Sequence, residues 1–78
     1  MRVMLMVQDV YHHRPACVGV LAKYKDGDKP AKAVRDRVDR WWLVEAESAE
    51  AARLVIWCSK NTGTFTNQGR ILASGGRS

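Results

Sequence analysis

From Asp39 to Trp57 the chain reads DRWWLVEAESAEAARLVIW, without a glycine or proline, yet its residue types change at Glu47-Ser48. Before that point, RWWLVEA is rich in aromatic and β-branched residues, which fit a pleated, half-buried surface. After it come Ala49, Ala51 and Ala52, strong helix formers. Ser48 suits a helix N-cap, and Glu50 would sit in the first turn, where a negative charge complements the helix dipole. The pattern predicts a strand to about Ala46 and a helix from about Ala49 to Lys60. Its apolar stripe would hold Ala52, Val55, Ile56 and Cys58, with Asn61 and Gly63 ending it. The competing reading is one continuous helix, because nothing in the stretch breaks one.

The rest of the chain supplies further strands. RVMLMVQ, residues 2–8, is short and apolar and gives way to polar residues, as a strand does. YHHRP interrupts the pattern, with Arg14 pushed toward extended or turn geometry by the proline after it. ACVGVLAKY, residues 16–24, reads as a second strand, and KDGDKP as a turn. In AKAVRDRV the four-residue spacing of Val34 and Val38 fits a helix or a strand. The reading adopted is a strand that begins loosely near Val34 and becomes regular by Arg40. GTFT, NQG and RILA suggest a small hairpin, and residues 74–78, SGGRS, a flexible tail. With 78 residues there is room for one domain and a thin core. The expected fold is α+β: a small antiparallel sheet of four to five strands, with one main helix on one face.

Strand alternation then assigns faces. Val3, Leu5, Val7, Val18, Val20, Trp42 and Val44 are expected under the helix. Met4, Met6, Leu21, Trp41 and Leu43 are expected on the other face, left open. The net charge of +5 is concentrated between Lys23 and Arg40, where seven bases face four acids. If residues 34–40 are extended, Arg35 and Arg37 join Trp41 on the open face, near Lys23. An apolar patch rimmed by bases resembles a partner surface. The candidate contact residues are therefore Lys23, Lys25, Arg35, Arg37, Arg40, Trp41 and Leu43. The competing reading is ordinary packing, with the long loops folded over the second face.

Sequence motifs give no catalytic reading. His12, His13 and Cys17 lack the four paired ligands of a zinc site. DGDKPAKAVRDR starts like a calcium loop but has Arg37 where a bidentate glutamate is required. No nucleophile stands beside a base, and no glycine-rich phosphate loop is present. The expectation is a non-enzyme without cofactor. Two cysteines, Cys17 and Cys58, read as free thiols in a reducing compartment. MRVMLMVQDV stops being apolar too soon for a signal h-region, and no stretch reaches membrane-span length, so a cytoplasmic protein is expected.

One segment carries a family resemblance. VEAESAEAARL, from Val44 to Leu54, resembles a strand ending in Glu-Ala-Glu-Ser followed by an Ala-rich helix with a basic residue, as in small phage-encoded anti-CRISPR proteins. The matching residues are Glu45, Ala46, Glu47, Ser48, Ala51 and Arg53. The resemblance implies a stoichiometric inhibitor, acting inside a bacterial host, that binds the type I CRISPR Cascade complex and blocks DNA recognition or nuclease recruitment. Many such proteins are acidic DNA mimics; this chain is basic and departs from them. A basic member would dock on acidic or mixed protein surfaces, or near bound nucleic acid. The open face expected from strand alternation also allows self-association, so the chain is expected as a monomer or homodimer. A small basic nucleic-acid-binding domain is the alternative function.

Overall fold

Ser48 divides the chain where its composition does. In the computed structural model, which describes residues 2–61 and 68–76, strand β3 (Arg40–Ala46) ends just before it and helix α2 (Ala49–Asn61) starts just after it. The Ser48 hydroxyl accepts a hydrogen bond from the Ala51 N–H at 3.1 Å, and the Ser48 carbonyl accepts one from the Ala52 N–H. An oxygen cap of this kind contributes about 1 kcal/mol by satisfying a donor that the first helical turn leaves unpaired. The continuous-helix reading is thereby excluded.

Three other strands complete one sheet: β1 (Arg2–Asp9), β2 (His12–Leu21) and β4 (Gly69–Gly76). The strand order is β2-β1-β3-β4, and every neighbouring pair is antiparallel. A short helix, α1 (Lys32–Arg37), lies in the connection from β2 to β3. The architecture is thus α+β, a four-stranded antiparallel sheet with one main helix packed on it.

The hairpin between β1 and β2 turns at Val10 and Tyr11. Neither residue has a positive φ, and the strand register shifts beside the turn. The Asp9 side chain closes it. Its Oδ1 accepts hydrogen bonds from the Tyr11 and His12 N–H groups at 2.8 and 2.9 Å and stands 2.9 Å from His12 Nδ1. Burial pushes the Asp9 carboxyl up, but the hydrogen bonds and the charge of His12 outweigh it, and the pKa falls below the ordinary value. The stabilisation that Asp9 lends is therefore complete above the ordinary aspartate range and is lost as pH falls through the lowered folded value. In an NMR titration the Tyr11 and His12 amide shifts are expected to move with a midpoint below about 3.9. A midpoint at or above that value contradicts the closed hairpin.

Strand β2 begins earlier than the expected residues 16–24. Arg14 and Pro15 lie within it, which is tolerable because β2 is an edge strand and Pro15 need not donate to a ladder. The register slips between Leu5/Met6 and their partners Gly19/Cys17, leaving Val18 as the extra residue of a bulge.

Helix α1 replaces the loose strand expected from Val34. Val34 and Val38 are packed on one side, against a cluster containing Trp41 and Leu43. The Val38 N–H donates to the Val34 carbonyl at 3.2 Å, and Arg35 and Arg37 occupy the last turn, where positive charge suits the dipole. The Asp-Gly turn before it closes as expected. Gly27 takes φ +94°, the Asp28 N–H donates to the Lys25 carbonyl, and the Asp28 carboxylate accepts from the Lys25 N–H.

The tail is the other departure. Ser74, Gly75 and Gly76, expected to be loose, pair with Trp42, Trp41 and Arg40 along the edge of β3. Gly75 allows this because the Trp41 ring lies against its Cα; a Cβ there would stand 2.7 Å from Trp41 Cζ2. The hairpin expected from GTFT and NQG falls largely on residues 62–67, outside the described residues, while RILA runs along β4.

Two cores fill the two faces of the sheet. Beneath α2, Met4, Met6, Trp42, Val44 and Ala46 pack on Ala52, Val55 and Ile56, as the helical stripe predicts. Across the sheet, Val7, Trp41 and Leu43 pack with Val38, joined by Val3, Leu5, Leu21, Tyr24 and Val34. Two expectations are corrected here. Met4 and Met6 lie under the helix, because they pair directly with Val44 and Trp42, while Val3, Leu5 and Val7 belong to the opposite face. Val18 and Val20 are exposed on the edge strand rather than covered.

Candidate partner-binding surface

The second face of the sheet is not open. The β2–β3 connection folds back over it and brings Tyr24, Val34 and Val38 onto Trp41 and Leu43. Trp41 keeps 7% of its surface and Leu43 none. Neither can anchor a partner, which corrects their assignment as contact residues. The physical reason is length: the connection spans residues 22–39 and carries its own apolar stripe, so it buries the face that one helix leaves bare.

The basic candidates are distributed differently. Lys23, Lys25, Arg37 and Arg40 are exposed. The Arg35 side chain is half-buried, and its Nε donates to the Pro30 carbonyl at 3.0 Å, so it braces the loop before α1. Arg40 lies on the α2 side of β3, with its guanidinium 5.2 Å from the centroid of the Trp42 ring. This cation–π contact covers the outer edge of the core. A hollow of about 730 Å³ with Trp41 in its wall is lined by Lys29 and Arg35 but also by Asp28 and Asp36. Its balanced charges favour neither sign of ligand.

A different surface has the composition sought. The side of α2 turned toward β2 exposes Leu54 and Trp57, and Trp57 keeps 59% of its surface. Together with Ile56 and Arg53 of the same helix, and Arg14 and Pro15 of β2, they line a groove of about 410 Å³. Large apolar side chains on the outside of a helix are informative when they cluster with arginine, since tryptophan and arginine are among the commonest interface anchors. Arg14, Arg53, Leu54 and Trp57 are absent from the contact residues that the sequence suggests. The available signal is the extra apolar pair Leu54 and Trp57, three apart and beside the stripe of Ala52, Val55 and Ile56. That pair makes the apolar arc of α2 wider than its contact with one sheet requires.

Each residue of the Glu-Ala-Glu-Ser phrase now has a place. Glu45 is 3.5 Å from Arg70 across the sheet, Ala46 is buried, and Ser48 caps α2. Ala51 packs against the core. Glu47 is exposed, and Arg53 enters the groove. Most of the phrase therefore serves the strand-to-helix transition.

Among the described residues, no group of three or more His, Cys, Asp or Glu stands close enough to hold a metal ion. His12 is engaged with Asp9, and the Cys17 thiol lies 3.4 Å from the Gly19 carbonyl, so the His-Cys candidates of β2 do not converge. No helix among these residues is long and apolar enough to cross a membrane. Comparison with family models, with curated proteins and with solved structures found no match to this chain.

Proposed function

We propose that this chain is a stoichiometric binding protein. In its sharpest form it is an anti-CRISPR inhibitor that docks on a protein surface of the type I Cascade complex and blocks DNA recognition or nuclease recruitment. The observation that carries the binding reading is the exposed Trp57 and Leu54 clustered with Arg14 and Arg53 around one groove. The resemblance of Val44–Leu54 supports the narrower form, and its basic residue, Arg53, lies in that groove. The basic and aromatic character expected of the Trp41 face thus moves to the opposite side of the sheet.

The test is co-elution of the purified chain with purified type I Cascade. A complex of fixed stoichiometry that persists at moderate salt is expected. Absence of any complex across subtypes contradicts the inhibitor reading. The net charge of +5 favours a second reading, direct nucleic-acid binding. That reading requires an affinity for oligonucleotides that falls steeply with salt, because bound cations displace counterions from phosphates. Failure to bind oligonucleotides at low salt removes it.

A further inference from the structure

We infer that the groove between α2 and β2 docks a carboxylate-bearing apolar segment of a partner protein; this rests on the binding-protein reading and names the partner's chemistry. The lining is Arg14, Pro15, Arg53, Leu54, Ile56 and Trp57. It contains two guanidinium groups and no carboxylate. Ile56 is buried at its floor, while Leu54 and Trp57 stand proud of the helix. Arginine forks recognise carboxylates through paired N–H donors, and the indole offers a broad apolar face. An occupant that satisfies both features carries acidic and apolar side chains close together.

Three other occupants fit less well. In a twofold homodimer the patch would meet its own copy, and Arg14 and Arg53 would face guanidiniums with no lining acid to neutralise them. A nucleic-acid strand would need a run of cations to follow its phosphates. The bases of the middle third, Lys23, Lys25, Arg35 and Arg37, belong to the connection that covers the other face of the sheet, so they do not extend this groove. Addition of a strand to the open edge of β2 is opposed by Pro15 and by the bulge at Val18. Recognition therefore runs through side chains, and the acidic apolar segment answers the charge of the lining.

The experiment is a chemical-shift titration of the labelled full-length protein with three probes. These are a short peptide alternating glutamate with leucine, its lysine-for-glutamate counterpart, and an oligothymidylate. The acidic peptide is expected to shift the Trp57 indole N–H and the Arg14, Arg53 and Leu54 amides, while the basic peptide leaves them in place. The Arg14→Glu, Arg53→Glu double variant, which alters neither of the two cores, is expected to keep the wild-type melting curve. It should lose roughly tenfold or more in affinity for the acidic peptide and gain affinity for the basic one. Trp57→Ala should weaken the acidic peptide without changing the preference for its charge. No shift at the groove with the acidic peptide overturns the proposal, as does a groove response to oligothymidylate alone. If the peptide maps to the groove and Cascade is not bound, the groove stands and the inhibitor reading fails. If Cascade is bound and the peptide does not map there, the reverse holds.

Discussion

Trp41→Glu is expected to unfold the domain rather than to weaken a complex. The indole is packed with Val7, Val38 and Leu43 and keeps only 7% of its surface. Removing a buried tryptophan costs about 3–5 kcal/mol through lost transfer energy and the cavity left behind. A carboxylate in its place adds the penalty of an unpaired buried charge. Small domains are only marginally stable, with about 5 kcal/mol at the low end. The variant should therefore show no cooperative melting transition by circular dichroism at ambient temperature. A melt close to that of wild type would mean that the second face is open after all and that the connection does not cover it.

Gly75→Val is expected to destabilise too, though less, and for a reason that lies in two residues at once. A Cβ at position 75 would stand 2.7 Å from Trp41 Cζ2 and 2.8 Å from Trp41 Nε1. The ring borders a hollow on one side and the Val7, Val38 and Leu43 cluster on the other, so it can give way only in part. Overpacking of this kind costs about 1–3 kcal/mol. Trp41→Leu alone loses core contact, but in its presence the clash with the introduced valine is relieved. The double variant should be more stable than the sum of the two single effects by about 1 kcal/mol, as measured by urea unfolding. Strict additivity would show that Trp41 does not lie on Gly75. The same pairing explains why a tail composed of serine and glycine becomes a strand: the tryptophan orders it.

These two variants mark where sequence and structure part. The change of state at Ser48 was legible because composition, cap and dipole agree at one residue. The alternating strands and the stripe of Ala52, Val55 and Ile56 were legible because each depends on local periodicity alone. The assignment of Met4 and Met6 was not, because it depends on which residue of β1 lies opposite Trp42. A slip of one residue exchanges the two faces, and a strand apolar on both sides carries no mark of its register. Helix α1 was ambiguous for a related reason: Val34 and Val38 satisfy both periods, and only their packing onto Leu43 and Trp41 decides. The paired tryptophans drew attention because they are adjacent, yet adjacency in a strand places them in two different cores. Trp57 is not singled out by the sequence because it sits outside the sheet-facing stripe, yet it keeps 59% of its surface. Of the basic candidates, Arg35 is held within the fold by the Pro30 carbonyl, whereas Arg14 and Arg53, unremarkable in sequence, are brought together only when α2 packs beside the edge strand.

Covering of both sheet faces leaves one of three tryptophans at the surface, and iodide quenching of fluorescence tests this most directly. Wild type is expected to contain a single readily quenched component, made more accessible to the anion by the nearby arginines. Trp57→Phe should abolish that component and leave Trp41 and Trp42 emission shielded until the protein is unfolded. An indole that remains freely quenched in Trp57→Phe would contradict the two-sided core and return the binding surface to the face that carries Trp41.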